Sequence, residues 1–193
     1  KVEEKGKHFS TGNMGTKAMI EVLSQAGLDD LVYELMTTKT SPSFGYMLEQ
    51  GATSMWERWE ADRNNNIMNS RNHPMFSACS VWFYKYLGGI GMAPDTEAFS
   101  DLVIAPHTPE GLSHVEVEMD IPAGRVKTAW EKTTGAFVLN VCVPFNTKAW
   151  VLLPALGATV TLNGKVIQPE LRDDGRLAVH VEAGNHELVV RAQ

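Results

Sequence analysis

Residues 115–121 read Val115-Glu116-Val117-Glu118-Met119-Asp120-Ile121, an unbroken alternation of apolar and acidic side chains. A strand points successive side chains to opposite faces, so this run buries one face and wets the other. The turn pair Ala123-Gly124 follows it, and Phe137 to Val143, bounded by Pro144, reads as a second strand. Asn163-Gly164 stands between Val160-Thr161-Leu162 and Lys165-Val166-Ile167, the signature of a two-residue hairpin. Leu177, Val179 and Val181 alternate again, and Gly184-Asn185 turns into His186 to Arg191. Trp130 and Trp150 sit in apolar strand contexts, where burial is the expectation. Short strands at this spacing predict an antiparallel β-sandwich, jelly-roll or immunoglobulin-like, over residues 94–193.

Upstream of residue 94 the period changes. Met14, Ala18, Val22 and Ala26, joined by Met19 and Leu23, predict one apolar helical face, and Gly27 supplies a stop. Asp29 and Asp30 open a second helix with acids in its first turn, where the macrodipole favours them. Its apolar positions are Leu28, Leu31, Val32, Leu35 and Met36, so the pair reads as a helical hairpin. Ser41-Pro42-Ser43 breaks the pattern. A third helix is expected from Pro74, with Met75, Ala78, Cys79, Trp82, Phe83, Tyr86 and Leu87 on its buried side and Gly88-Gly89 as its end. Trp82 and Phe83 read as core. Three helices make a poor independent core, so residues 1–93 are expected to be the tail end of a larger helical domain. A first residue of Lys1 rather than Met fits a piece of a longer chain.

Composition narrows the function classes. The formal net charge is −6 with 17 Lys and Arg against 23 Asp and Glu, and no basic cluster compensates for it. That argues against a nucleic-acid partner, whose phosphates need one. No apolar run is long enough to span a membrane. The two cysteines, Cys79 and Cys142, lie in different halves, without Cys-x-x-Cys or His/Cys spacing, and read as free thiols rather than zinc ligands.

The chemistry-bearing stretch is Ser43 to Trp59, Ser-Phe-Gly-Tyr-Met-Leu-Glu-Gln-Gly-Ala-Thr-Ser-Met-Trp-Glu-Arg-Trp. Residues 44–59 show no clean period, and Gly45 and Gly51 suggest close turns, so a loop-built site is expected. Glu57 lies between Trp56 and Trp59. A carboxylate flanked by indoles suits sugar chemistry, since the rings exclude water while the acid activates a single water molecule. Arg58 beside it reads first as the partner of a neighbouring carboxylate and second as a substrate contact. One of the two indoles is expected to face the pocket. Tyr46 offers a hydroxyl, and His73 is either a helix-start residue or a ligand. Of the other carboxylates, Glu49, Glu60 and Asp62, the last two read as surface charges. The polar run from Glu60 to Asn72 is a long loop of the kind that carries function in compact domains.

Gly45-Tyr46-Met47, Gly51-Ala52-Thr53 and Trp56-Glu57-Arg58-Trp59 are preceded by Thr11-Gly12 and Gly15-Thr16. They are followed by Asn72-His73, Gly89-Ile90, Phe99 to Pro106 and Trp130. In this order they resemble the bacterial α-L-rhamnosidases of glycoside hydrolase family 78. The resemblance implies an (α/α)6 barrel whose last helices end near Ile90, followed by a C-terminal β-sandwich. It implies an inverting hydrolysis that releases L-rhamnose from a carbohydrate, with no metal or organic cofactor. Glu57 matches the general base and His73 a residue lining the sugar pocket. The general acid of the family comes from an earlier barrel segment, so the missing N-terminal part of the parent chain is an implied partner and this piece alone is expected to be inactive. Arg71 and Pro74 stand where the family usually has aromatic residues, and Asn13 where it has an apolar one, which bears on substrate preference. The rival reading is a carbohydrate-binding or structural sandwich, which would need two or three rings on one exposed face.

Overall fold

The computed structural model describes residues 2, 4, 6–60, 69–155 and 159–191. Most of the polar run read as a site loop, including Asp62, lies outside them. Contacts divide the chain into two compact units, Lys1–Trp82 with Pro109–Gly111, and Phe83–Thr108 with Leu112–Gln193.

The first unit is helical. Helix α1 (Asn13–Gln25) and helix α2 (Asp29–Thr37) form the expected hairpin, with the chain reversing through Ala26 and Gly27. The buried face of α1 is not the predicted one. Thr16, Ile20 and Ser24 are buried, whereas Met14 is 76% and Val22 63% exposed. The burial of Thr16 has a reason in its hydroxyl, which donates to Gly12 O at 2.9 Å and meets Thr11 Oγ1 at the same distance. A hydroxyl so paired costs little to bury. In α2 the predicted face holds at Val32 and Leu35, both fully buried, while Leu28 ahead of the helix is 46% exposed.

The expected loop over residues 44–59 contains a third helix, α3 (Phe44–Glu49), capped by Ser43 Oγ, which accepts the Tyr46 N–H at 2.9 Å. Gly45 makes it possible. A Cβ there would collide with the Thr38 carbonyl oxygen, so only glycine lets α3 approach the end of α2 this closely.

The helix expected from Pro74 is a 3₁₀ helix, Pro74–Ser80, followed by a π-helical turn, Trp82–Leu87. A 3₁₀ helix repeats every three residues, and Phe76, Cys79 and Trp82 are accordingly the buried positions. Met75 and Phe83, predicted for the core from a 3.6-residue period, are 38% and 44% exposed, and Ala78 is exposed as well. Within the first unit α1 packs against the 3₁₀ helix.

The second unit is a two-sheet sandwich. Its strands are β1 (Ile90–Met92), β2 (Asp101–Ile104), β3 (His114–Ile121), β4 (Gly124–Thr133), β5 (Ala136–Val143), β6 (Lys148–Leu153), β7 (Thr159–Leu162), β8 (Lys165–Ile167), β9 (Glu170–Leu171), β10 (Leu177–Val181) and β11 (Gly184–Arg191). One sheet runs β3-β4-β5-β11-β7-β8 and is antiparallel throughout. The other runs β1-β2-β6-β10-β9 and departs from the antiparallel expectation at one step, because β2 pairs β6 in parallel. Inward residues of both sheets, among them Leu102, Ile104, Trp130, Leu139, Val151 and Leu188, share one apolar core. The β7–β8 hairpin closes through Asn163 (φ 50°) and Gly164 (φ 77°), the two left-handed positions of a type I′ turn.

Trp130 is buried as expected, and its indole N–H donates to Leu87 O at 2.7 Å. Trp150 is not buried. Ala149, Val151 and Leu153 take the inward positions of β6, which leaves Trp150 on the outer face at 38% exposure, beside the cross-strand ring of His180.

Candidate active site

The site lies wholly in the helical unit. Phe9, Trp59 and Phe76 form its floor, with Phe44 packed edge-on against all three. Trp59 stacks on Phe9 at 5.0 Å with the planes 6° apart, meets Phe44 edge-on, and lies 4.0 Å from Phe76. Its indole N–H is satisfied by Thr11 O at 2.7 Å. That bond ties the segment entering α1 to the Trp-Glu-Arg-Trp motif and places Ser10 to Asn13 opposite Glu57. The result is a cleft of about 620 Å³ lined by Phe9, Ser10, Asn13, Glu57, Arg58 and Trp59, with Thr11, Gly12, Pro42, Glu60 and Phe76 completing it. Small-ligand pockets occupy about 300–1,000 Å³, apolar for most of their lining with a few placed polar groups.

Glu57 is half-buried in this wall. Its main-chain N–H donates to Ser70 O at 2.9 Å, and Ser70 N–H returns a bond to the carboxylate oxygen Oε2 at 2.8 Å. Three residues on, His73 N–H donates to Met55 O at 2.8 Å, and the Ser54 hydroxyl bonds to Arg71 O. Residues 54–57 and 70–73 are thus laced together. A carboxylate that accepts a main-chain N–H is oriented by it.

The other candidates divide. Trp59 lines the cleft as part of its floor. Trp56, 5% exposed, is absent from the cleft lining and packs behind the motif, with the Arg71 guanidinium 5.1 Å from its ring centroid. Arg58 is exposed and lines the cleft, and the carboxylate partner expected for it does not occur among the described residues. Glu60 also lines the cleft and is exposed, while Glu49 pairs with Lys39 at 3.1 Å. Tyr46 and His73 are half-buried and are not among the residues lining the cleft. His73 stands at the N-cap position of the 3₁₀ helix without a side-chain capping bond. Among the described residues no group of His, Cys, Asp and Glu could hold a metal ion.

Sequence reasoning missed three contributors, Ser70, Ser10 and Asn13. Ser70 acts through its main chain, which no side-chain pattern reveals. Ser10 and Asn13 reach the cleft only because the Trp59 indole fixes the segment that carries them.

Residues 1–87 match the bacterial alpha-L-rhamnosidase 6 hairpin glycosidase domain, and residues 89–167 match the bacterial alpha-L-rhamnosidase C-terminal domain. The chain belongs to the bacterial α-L-rhamnosidase family. Among its relatives, the alpha-L-rhamnosidase of Alteromonas sp. (strain LOR) is 36% identical over 167 residues, covering 84% of this chain and 18% of its own length. That of Streptomyces avermitilis is 33% identical over 196 residues, covering 98% of this chain and again 18% of its own. The fold agrees with solved members. The structure of the Dictyoglomus thermophilum alpha-L-rhamnosidase superposes with a TM-score of 0.91 at 28% identity, covering 98% of this chain and 22% of that one. The Streptomyces avermitilis enzyme, solved in complex with L-rhamnose, gives 0.85 at 32% identity, with 98% and 19% covered. This rhamnosidase-family chain therefore spans about a fifth of the length of its relatives.

Proposed function

We propose that this chain is part of an inverting α-L-rhamnosidase that removes terminal α-L-rhamnose from glycans or glycosides, with Glu57 as the general base. The helical unit then supplies the last helices of an (α/α)6 barrel, and the sandwich unit is the C-terminal domain of the same protein. The observation that carries the reading is the setting of Glu57. Its carboxylate lines a cleft of sugar size over an aromatic floor, with one oxygen held by Ser70 N–H.

Inversion needs two carboxyl groups about 6.5–9.5 Å apart, so that a water fits between the base and the anomeric carbon. Glu57 takes the proton of that water as its oxygen attacks. The leaving oxygen is protonated by the family's acid, which we assign to an earlier segment of the helical domain. Trp59 excludes bulk water below the sugar, and Ser10, Asn13 and Arg58 are placed to meet its hydroxyls. We keep His73, Trp56 and Tyr46 as sugar contacts only for the fully assembled domain, since they stand off this cleft. The substrate class rests on the relatives, and the cleft accepts it on size and polarity.

The test is made on the full-length protein with an aryl α-L-rhamnoside. Glu57→Gln keeps the shape of the side chain and removes the base, and is expected to lower kcat by about 10²–10⁴-fold with KM little changed. The sugar first released by the unmodified protein, followed by NMR, is expected to be the β-anomer. Wild-type turnover in Glu57→Gln, or release of the α-anomer, would contradict the proposal.

A further inference from the structure

We infer that the main-chain N–H of Ser70 is a positioning group for catalysis, selecting which oxygen of Glu57 receives the proton from water. The inference rests on Glu57 being the base. Oε2 is engaged by Ser70 N–H at 2.8 Å, and among the described residues Oε1 has no partner. The last torsion of a glutamate is broad and roughly two-fold, so nothing internal to the side chain fixes the carboxylate plane. The plane is fixed by the pair of bonds to Ser70. Glu57 N–H to Ser70 O holds the two backbones in register, and Ser70 N–H to Oε2 then sets the carboxylate against that frame. Oε1 is left as the acceptor for water. A base whose acceptor oxygen is already aimed avoids the reorientation that a free carboxylate undergoes at each turnover.

The serine side chain has a different task. Its Oγ accepts Asn72 N–H at 3.1 Å and shapes the turn leading to His73. Main-chain and side-chain roles at this position are therefore separable by experiment.

The experiment replaces the Ser70 amide by an ester in the full-length protein, exchanging N–H for O while keeping the side chain and the Ser70 carbonyl. Ser70→Ala, which retains the N–H, is the conservative comparison, and Glu57→Gln is measured alongside. The ester protein is expected to lose about tenfold in kcat, the scale of one hydrogen bond to a charged group, with KM changed less than about twofold. Ser70→Ala is expected to restore kcat to within about threefold of the unmodified protein. A wild-type kcat in the ester protein, or the same loss in Ser70→Ala, overturns the positioning role while Glu57 stands as base if Glu57→Gln is inactive. A rise in KM equal to the fall in kcat also overturns it, since that marks a structural effect. Full turnover in Glu57→Gln overturns both readings.

Discussion

Glu57 and Ser70 exchange two hydrogen bonds, one from Glu57 N–H to Ser70 O at 2.9 Å and one from Ser70 N–H to Glu57 Oε2 at 2.8 Å. The first is a main-chain contact between two irregular segments. The second turns that contact into an orienting device for a carboxylate that lines a cleft. Twelve residues, 58 to 69, separate the partners in sequence.

The aromatic floor should be a main source of stability for the helical unit. Trp59 is 7% exposed and meets three aromatic rings, so Trp59→Ala is expected to cost about 3–5 kcal/mol. Trp59→Phe keeps most of the ring contacts but abandons the bond to Thr11 O, and should cost roughly 1–3 kcal/mol through the unpaired carbonyl. Urea denaturation followed by tryptophan fluorescence measures both. An alanine variant as stable as the parent would show that the ring cluster is not cohesive.

The sandwich has its own sensitive point in the β7–β8 turn. Gly164 holds φ at 77°, and a Cβ there meets nothing within 4 Å, so the cost of Gly164→Ala is conformational rather than steric crowding by neighbours. A loss of about 1–2 kcal/mol is expected, seen as a lower Tm in calorimetry, and Asn at this position should recover part of it. An unchanged Tm for Gly164→Ala would contradict the turn assignment.

The two thiols should differ in reactivity. Burial pushes Cys79 up to about 11, partly offset by a backbone hydrogen bond, whereas Cys142 is half-buried on β5. Reagents that attack thiolates should therefore label Cys142 first near pH 8, with Cys79 following only on unfolding. The sign for stability follows from the raised value. Between about pH 9 and 11 the unfolded chain gives up the Cys79 proton while the folded one retains it, so stability falls across that window. Cys79→Ser should flatten this part of the pH profile. Prompt labelling of Cys79 in the native protein would contradict its burial.

Much of the sandwich was legible because its strands have one wet face. The alternation in Val115 to Ile121 and the Asn163-Gly164 turn both survive into β3 and the β7–β8 hairpin. The parallel pairing of β2 with β6 was not legible, since no local pattern reports which distant strand lies alongside. In the helical half, periodicity found α1 and α2 but misjudged the buried face of α1, where Thr16 and Ser24 displace Met14 and Val22. Helix α3 was missed because Gly45 reads as a helix breaker, and its real role is the close approach to Thr38. Over Pro74–Leu87 the 3.6-residue ruler placed Cys79, Trp82, Tyr86 and Leu87 inside, as they are, but misplaced Met75, Ala78 and Phe83, because neither a 3₁₀ nor a π-helix follows it. At the site, the Trp-Glu-Arg-Trp motif pointed to Glu57, while the Ser70 N–H that orients it carries no side-chain signal at all.

The most direct measurement of the central claim is chemical rescue of Glu57→Ala in the full-length protein. With the base removed, an activated aryl α-L-rhamnoside should turn over slowly in water, because nothing takes the proton of the attacking molecule. Azide needs no such base. Its addition is expected to restore leaving-group release and to yield β-L-rhamnosyl azide, the product of a single displacement at the anomeric carbon. Glu57→Ala that turns over at the parent rate without azide, or that yields the α-azide on rescue, would contradict Glu57 as the base of an inverting reaction.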